Sequence, residues 1–331
     1  MALKRIAVTL GDPSGIGPEI ALKASDDPRI RNSLSLVLFG DKRALDAHAK
    51  LCGLRADYRL LRSMADIASL DQGLALMDVP SLDESFRIGE VSAASGAATI
   101  AALDAAVDAA KAGVVDAVVG SPIHETAIKQ AGIAFDGHPS YLARRTGTPV
   151  DEVGLMLCWE RTRVAHVTLH LSVRDALTAI TQDRVEKVIR TTAQALGRLG
   201  IARPRIGVSG VNPHAGESGL FGREEIEIIA PAIGKLRDDG MDLIGPIGAD
   251  TLLPRKDCDA FVVMLHDQGH VAARVAAPNM AAAMSIGTPV VFSSVGHGTA
   301  MDIAGKGVAN PEALVQALLH VSNTFPTGDG E

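Results

Sequence analysis

Short runs of valine, isoleucine and leucine alternate with longer amphipathic stretches along the chain, and this alternation limits the folds that the chain can adopt. The apolar runs predict strands at residues 5–10, 35–39, 115–120, 155–159, 163–169, 205–208, 261–265 and 290–293. Helical periodicity predicts helices at 97–112, 184–199 and 223–239, the last with a kink or a restart at Pro231. The pattern is typical of an α/β protein with buried central strands, and 331 residues suggest about two domains.

Charge and cysteine usage exclude several classes of protein. The net charge of -7, without any basic stripe, argues against a nucleic-acid partner. The cysteines Cys52, Cys158 and Cys258 lie far apart and form no disulfide framework, which favours a reducing compartment. The sequence shows no signal-peptide pattern near its start and no apolar run of about 18 residues. We therefore expect a cytoplasmic protein that has no membrane partner.

Three histidines stand in turn-forming contexts directly after predicted strands. They are His170, His214 within Asn212-Pro-His-Ala-Gly216, and His266 within His266-Asp-Gln-Gly269. Ligands bind at strand ends in open α/β sheets, and three neutral imidazoles suit Zn²⁺, Co²⁺ or Ni²⁺. The alternative is that each is a structural histidine with satisfied hydrogen bonds. Asp250 and Asp267 either support such a metal site or form ordinary turns.

Two glycine-rich segments follow strand-like runs. Gly11-Asp-Pro-Ser-Gly-Ile-Gly-Pro-Glu19 predicts a strand–turn–helix start, because Ile20 replaces the third glycine of a dinucleotide fingerprint and no Gly-Lys-Ser/Thr is present. Residues 296–307 form a small-residue loop whose backbone N–H groups can approach an adenosine or pyrophosphate closely. Close helix packing is the alternative explanation for this second segment.

The segment Gly11–Glu19, together with His297-Gly-Thr-Ala-Met-Asp-Ile-Ala-Gly-Lys-Gly-Val-Ala-Asn-Pro311, resembles the isocitrate/isopropylmalate dehydrogenase superfamily. The resemblance implies two α/β domains with a cleft between them: an NAD-side domain (1–135 and 296–331) and a metal, substrate and dimerisation domain (136–295). In that fold the second segment surrounds the adenosine part of NAD. This implies cofactor contacts at His297, Gly298, Thr299, Ala300 and Asp302.

The three histidine motifs look like those of the 4-hydroxythreonine-4-phosphate dehydrogenase branch, and this likeness spans essentially the whole chain. It implies that His170, His214 and His266 bind a divalent metal, for which we expect Zn²⁺, with one histidine supplied across a homodimer interface. The substrate positions depart from that branch. This chain has His138-Pro139 for a His-Thr pair, Arg274 for lysine, Ala283 for asparagine, Phe292 for arginine and Gly296 for aspartate. A phosphorylated substrate then loses its polar partners.

A different subgroup fits these positions better. The following motifs look like those of terephthalate 1,2-cis-dihydrodiol dehydrogenases: His124-Glu-Thr-Ala-Ile128, Ala131-Gly-Ile-Ala-Phe135, Pro139-Ser140, Ala277-Pro-Asn279, Ser285-Ile-Gly287 and Ser293-Ser-Val-Gly-His-Gly298. The resemblance implies NAD-dependent oxidative decarboxylation of a cyclohexadiene cis-diol dicarboxylate to protocatechuate and CO₂. Two alternatives remain: a dehydrogenase of a phosphorylated four-carbon hydroxy acid such as 4-phosphohydroxy-L-threonine, and a non-catalytic metal-binding protein.

The implied reaction needs a base and groups that hold carboxylates. Asp250 and His138 are the candidates for the base, and His138 also lines the expected substrate pocket. Arg274 is expected to pair bidentately with a substrate carboxylate, unless it is a solvated helix arginine. Ser293 and Ser294 are expected to donate to the second carboxylate. His124 and His297 are either pocket linings or loop histidines, and His166 is interpreted as structural.

Overall fold

The computed structural model describes residues 3–70, 72–278 and 280–323, so Asn279 of the motif Ala277-Pro-Asn279 lies outside the described residues. The strands are β1 (Lys4–Thr9), β2 (Leu34–Gly40), β3 (Arg59–Leu61), β4 (Leu74–Asp78), β5 (Ala117–Gly120), β6 (Gly154–Trp159), β7 (Thr162–His166), β8 (Arg205–Ser209), β9 (Asp242–Ile247), β10 (Ala260–Val263), β11 (Ala282–Ile286) and β12 (Phe292–Val295).

The α-helices are α1 (Gly17–Asp26), α2 (Pro28–Arg31), α3 (Lys42–Cys52), α4 (Met64–Ala68), α5 (Ala93–Lys111), α6 (Glu125–Gln130), α7 (His138–Thr146), α8 (Val173–Ala179), α9 (Gln182–Arg198), α10 (Ala230–Asp238), α11 (Ala249–Leu252), α12 (His266–Ala276) and α13 (Glu312–Ser322). Short 3₁₀ turns lie at Val150–Glu152, Pro213–Gly219 and Met301–Ile303, and a π turn lies at Glu225–Ile229. The predicted α/β class is confirmed. The helix predicted at 223–239 is interrupted as expected, since the π turn leads into α10 with Pro231 in its first turn.

The first of two compact units contains Met1–Tyr141 and Pro289–Glu331. Its sheet has the order β3-β4-β2-β1-β5-β12, and all of its strand pairs are parallel. Strands β2 and β5 are buried throughout, as expected for parallel strands covered on both faces. The chain runs from β1 to β2 on one side, while β5 lies on the other side, so a topological switch point separates β1 from β5.

The second unit contains Leu142–Thr288. Its strands follow the order β11-β6-β7-β10-β8-β9. The pairs β11–β6 and β6–β7 are antiparallel, whereas β7, β10, β8 and β9 form a parallel series. The carboxyl ends of these four parallel strands therefore meet at one edge of this sheet. This edge receives the loops in which the sequence places its candidate metal ligands.

The unit boundaries differ from the domain bounds expected at 135/136 and 295/296. The structure places them at 141/142 and 288/289. Strand β12 explains the larger part of the difference, because Phe292, Ser293 and Ser294 pair in parallel with β5 of the first unit. Residues 289–295 thus belong with the first unit and not with the second. The functional roles assigned to the two domains stay predictions.

One helix among the described residues, Ala93–Lys111, is long and apolar enough to cross a membrane on length and composition alone. Of its most apolar window, 56% is buried inside the structure. The helix packs against β1, β2 and β5 of the first unit. Its apolar composition is therefore explained by its place in a protein core.

Candidate active site

Four neighbouring parallel strands of the second unit each lead into one candidate site residue. His170 follows β7, His266 follows β10, His214 follows β8, and Asp250 lies in α11 after β9. The strand order β7-β10-β8-β9 brings all four loops to the carboxyl edge of this sheet, where ligands of α/β proteins bind. The topology thus places the three histidines and the aspartate predicted from the sequence along one edge.

His170 and His266 face each other at this edge, with ring centroids 5.8 Å apart. Nδ1 of His266 lies 2.7 Å from Oδ1 of Asp267 and donates to it, which leaves Nε2 of His266 with a lone pair. A histidine held by a carboxylate in this way is typical of zinc ligands, so the donor chemistry fits a divalent metal. Within the described part of a single chain, however, no three His, Cys, Asp or Glu side chains are grouped to hold an ion.

The His214 loop has an unusual backbone. His214, Ala215, Glu217 and Ser218 all have positive φ values between 42° and 58°, which side chains other than glycine rarely adopt. Strained backbone of this kind persists only where the surroundings hold it, and it concentrates at functional sites. Here the buried Glu225 holds the loop start, since its Oε1 accepts from the backbone N–H groups of residues 211 and 212 at 2.7 and 2.8 Å.

Gln268 connects the His266 loop to the end of β8. Its Oε1 accepts from the backbone N–H groups of Met264 and Leu265 at 2.9 Å, and its Nε2 donates to the Gly210 carbonyl at 3.0 Å. Asp250 is exposed and lies close to the His214 loop. A Cβ on Gly248 would lie 2.7 Å from Asp250 Oδ1 and 3.8 Å from His214 Cα. The loops after β10, β8 and β9 are therefore held near one another.

His166 is buried below this edge and fits the structural role expected for it. Nδ1 of His166 donates to the Leu155 carbonyl at 3.4 Å, and burial lowers the pKa of His166 to about 3, so the ring stays neutral. Gly269 is required beside it, since a Cβ there would lie 2.3 Å from His166 Nε2. His270, which follows Gly269, was not among the residues predicted for the site, although its spacing of one helical turn from His266 is visible in the sequence.

Arg274 lies exposed in the last turn of α12, on the helix that His266 begins. The carboxylate-binding role expected for Arg274 stays a prediction.

The candidate substrate residues of the first unit lie together. His138 contacts the rings of Phe135 and Phe292, with centroid separations of 5.4 and 4.9 Å. A Cβ on Gly120 would lie 3.6 Å from both His138 Nε2 and Ser294 Cβ, so these two side chains approach the end of β5 together. Ser293 and Ser294 are buried at the adjoining end of β12. Desolvation lowers the pKa of His138 to about 4, which keeps its imidazole neutral at physiological pH.

The expected cofactor segment follows β12, next to the switch point between β1 and β5. It packs against the other glycine-rich segment, since the Ile16 N–H donates to the carbonyl of the buried Thr299 at 3.0 Å. Ala300 has a φ of 43°, a left-handed conformation at a residue that carries a Cβ. His297 is partly exposed, and Gly298 and Asp302 are exposed. The segment is thus a tight, locally strained loop at the sheet edge where α/β proteins bind ligands.

Glu19 and Lys23 hold the chain that follows this loop. The fully buried Glu19 accepts from Lys23 Nζ at 2.7 Å and from the Ala309 N–H at 2.8 Å. Lys23 Nζ also donates to the carbonyls of Gly307 and Ala309 at 2.9 and 2.8 Å. Burial alone would raise the pKa of Glu19, but these hydrogen bonds outweigh it and keep the pKa lowered. The ion pair therefore fixes residues 307–309 against α1.

Asp12 is a second residue whose importance the sequence analysis did not identify. Asp12 lies directly after β1 in the loop before α1 and is fully buried. Its Oδ1 accepts from the Ser14 N–H at 2.9 Å, whereas its Oδ2 has no hydrogen-bond partner among the described residues. Ser121 Oγ and His124 Nδ1, in the loop after β5, are also buried and have no hydrogen-bond partner in the described part of the chain. Burial raises the pKa of Asp12 to about 6, although the Ser14 N–H and the nearby His124 oppose the shift. Such an aspartate destabilises the fold while it is ionised.

Asp12→Asn is expected to raise the melting temperature at pH 8 and to leave it nearly unchanged at pH 4. The folded-state pKa of Asp12 lies above its unfolded value, so its favourable contribution is present below pH 4 and is lost as pH rises toward 6. The gain at pH 8 should be on the order of 1–3 kcal/mol. Thermal unfolding at the two pH values measures it.

The control for this prediction is Asp41→Asn, which should have the opposite effect. Asp41 accepts from the N–H groups of Arg43, Ser81 and Leu82, and these bonds outweigh burial and lower its pKa. Its stabilisation is present above the unfolded pKa, so the substitution should lower the melting temperature at pH 8. If Asp12→Asn changed the melting temperature by the same amount at pH 4 and at pH 8, the ionised Asp12 carboxylate would not be destabilising.

Comparison with known proteins identifies the family. A family model described as Pyridoxal phosphate biosynthetic protein PdxA matches residues 32–321. The chain is 43% identical to a 1,2-dihydroxy-3,5-cyclohexadiene-1,4-dicarboxylate dehydrogenase of a Comamonas species, over 95% of this chain and 96% of that one. It is 45% identical to the crystal structure of a terephthalate 1,2-cis-dihydrodiol dehydrogenase from Burkholderia xenovorans LB400, with a TM-score of 0.74 and coverage of 97% and 98%. A 4-hydroxythreonine-4-phosphate dehydrogenase from Burkholderia phymatum is 35% identical, with a TM-score of 0.87 and coverage of 98% and 99%.

These relatives define the chain as a dehydrogenase, since the likeness extends over nearly its whole length. The chain belongs to the PdxA family. The predictions of an enzyme and of this family are confirmed, and the alternative of a non-catalytic metal-binding protein loses its support. Sequence identity and TM-score rank the two solved structures in opposite order. Because one fold serves several substrates, the side chains around the site must decide between them.

Proposed function

We propose that this dehydrogenase uses NAD and a divalent metal, for which Zn²⁺ is the expected ion, to oxidise and decarboxylate the terephthalate cis-dihydrodiol, a cyclohexadiene cis-diol dicarboxylate. The products are protocatechuate and CO₂. The observation that carries the proposal is the fully buried Phe292 beside His138, at a ring separation of 4.9 Å. A phenyl ring offers no donor to a phosphate, so the position at which the related branch has an arginine gives His138 only an apolar neighbour.

The reaction converts a diol into a phenol. One ring carbon of the substrate carries a hydroxyl and a carboxylate, and its neighbour carries a hydroxyl and a hydrogen. Oxidation of the neighbour gives a ketone β to the carboxylate, loss of CO₂ gives an enolate, and protonation of the enolate oxygen gives the aromatic product. The proton released in the first step balances the one taken up in the last. NAD⁺ supplies the hydride acceptor, and the metal supplies a Lewis acid.

Residues of the first unit provide the proposed base and one carboxylate contact. His138 is neutral because desolvation lowers its pKa, so its lone pair can accept the hydroxyl proton. Ser293 and Ser294 would donate to a carboxylate from the end of β12. The phenyl rings of Phe135 and Phe292 pack against the His138 imidazole and make its surroundings partly apolar. Apolar surroundings strengthen hydrogen bonds made there.

Residues of the second unit provide the metal ligands and a cation. His170, His214 and His266 would hold the metal, and Asp250 is the alternative base beside the His214 loop. Arg274 would pair with the other substrate carboxylate through its planar guanidinium group.

Exposed apolar side chains support a homodimer in which the metal site is shared between subunits. They follow each candidate ligand along the chain: Leu171, Leu220, Phe221, Val271 and Val275 are 51%, 71%, 49%, 56% and 78% exposed. Apolar surface beside polar ligands is typical of a protein interface. A second copy of the chain would cover these residues and supply the ligand that one chain lacks. We place the enzyme in the cytoplasm, in agreement with its three free cysteines.

Glu19→Gln is expected to raise the Kd for NADH about tenfold, the equivalent of one charge-assisted hydrogen bond of about 1.5 kcal/mol. The substitution neutralises the carboxylate that holds Lys23 and the Ala309 N–H. Residues 307–309 then lose their anchor, and the proposed cofactor loop before them becomes less ordered. Titration of NADH fluorescence measures the change. An unaltered Kd would show that this anchor does not support the cofactor loop.

Product analysis tests the proposed function. Enzyme supplied with Zn²⁺, NAD⁺ and the terephthalate diol should form NADH, protocatechuate and CO₂ in equal amounts. A chelator should abolish all three products, and added Zn²⁺ should restore them. NADH formation without CO₂ would contradict the decarboxylation, and no turnover by the metal-supplied enzyme would overturn the proposal.

A further inference from the structure

A second histidine of α12 stacks on His266. His266 and His270 lie one turn apart at the start of this helix, and their rings are parallel to within 9° at a centroid distance of 3.7 Å. Nδ1 of His270 donates to the His266 carbonyl at 3.1 Å. The same helix thus holds the His270 ring by its nitrogen and places it against one face of His266.

His270 also contacts the protein core. The ring of His166, which is 1% exposed, lies 4.8 Å from the His270 ring between centroids. His166 is fixed in turn by its hydrogen bond to the Leu155 carbonyl of β6. His270 therefore contacts both a buried imidazole and His266. Successive ring contacts connect the four histidines 166, 270, 266 and 170.

The hydrogen bond that the His266 imidazole makes to Asp267 is exposed to solvent. Asp267, which accepts from its Nδ1, has a side chain that is 84% exposed, and pairs this exposed contribute little. The side chain of His266 is itself 35% exposed. The face-to-face contact with His270 is thus a second restraint, beside the hydrogen bond to Asp267, on the direction in which the Nε2 lone pair of His266 points.

We propose that His270 is a positioning residue that fixes the His266 imidazole for divalent-metal binding, by stacking and not by coordination. The inference rests on the proposed function, in which His266 binds the metal. Coordination by both rings is disfavoured by their geometry. Imidazole lone pairs lie in the ring plane, and the lone pairs of two parallel rings run side by side without converging on one ion.

Two variants of the purified full-length protein separate stacking from coordination. His270→Phe keeps a flat ring against His266 but removes both nitrogens, and His270→Ala removes the ring. Competition with a chromogenic chelator gives the Co²⁺ affinity of the metal-free protein. We expect His270→Ala to weaken Co²⁺ binding about 10- to 100-fold and His270→Phe to stay within about threefold of the unchanged protein. Both Co²⁺ complexes should keep the same visible absorption band, since neither variant loses a ligand.

The controls exclude simpler explanations. Melting temperatures of the metal-free variants show whether α12 still folds. His297→Ala removes a partly exposed histidine of the first unit, and it should leave the Co²⁺ affinity unchanged.

Three outcomes would overturn the proposal. An equal loss in His270→Phe and His270→Ala with an altered Co²⁺ spectrum would make His270 a ligand. An unchanged affinity in His270→Ala would remove any role for it at the metal. A protein without Co²⁺ or Zn²⁺ affinity at all would instead show that the metal of the proposed function is wrong, and the positioning role would fall with it.

Discussion

His266→Ala is expected to lower kcat/KM for the diol by about 10³-fold or more. Lewis-acid stabilisation is worth several kcal/mol, and each 1.36 kcal/mol corresponds to a factor of ten. His266 occupies the loop after the central strand β10, with the His170 and His214 loops on either side, so its removal affects the middle of the proposed ligand set. Metal content and turnover, measured on the same preparation, should fall together.

Two further measurements on His266→Ala serve as controls. The residues expected to contact NADH lie in the first unit, so the Kd for NADH should stay unchanged in His266→Ala. Its melting temperature without metal should also stay close to that of the unchanged protein, since His266 is partly exposed. Turnover that survives with full metal content would contradict the assignment of His266 as a ligand.

Val275→Arg is expected to convert the proposed homodimer into monomers and to reduce turnover at least about 100-fold, because each site needs a ligand from the second copy. Val275 is 78% exposed on α12, the helix that carries His266. A charge at this position has no partner when a second copy covers it, and burying an unpaired charge is costly. Analytical ultracentrifugation measures the oligomeric state.

Val150→Arg is the matched control. Val150 is also an exposed valine of the second unit, at 54%, but it lies in the short 3₁₀ turn before β6 and not beside a candidate ligand. This variant should keep the dimer and its activity. A Val275→Arg protein that remains a fully active dimer would show that the interface lies elsewhere. An inactive dimer would show that Val275 affects the site without being needed for dimerisation.

Among the described residues, the sequence predicted eight strands and missed β3, β4, β9 and β11. Strand β4, with the sequence LALMD, has no β-branched residue. Strand β3 has three residues and two of them are exposed, as is typical of a short edge strand. Strand β9 contains Gly245 and Pro246, which argue against a strand, and it lies at the edge of the second sheet. Strand β11, with the sequence AAMSI, has one β-branched residue. Its pairing with β6 is a tertiary effect that local sequence does not reveal.

The candidate site was predictable where a motif follows a strand, and not where packing decides. His170, His214 and His266 each follow a parallel strand, so the sheet brings their loops to one edge. The spacing of His270 from His266 can be read from the sequence, but the stacking of the two rings cannot. Asp12 was visible within a glycine-rich segment, but its complete burial depends on elements distant in sequence.

The specificity ratio tests the central claim most directly. Turnover of the terephthalate cis-dihydrodiol and of 4-phosphohydroxy-L-threonine should be measured side by side, with Zn²⁺ and NAD⁺ present in both assays. We predict that kcat/KM favours the diol by at least about 10²-fold, because Phe292 and Ala283 offer no hydrogen bond to a phosphate and a poorly paired charge is costly to bury. A kcat/KM that favours the phosphorylated substrate would contradict the account, whatever the outcome for the metal and the cofactor.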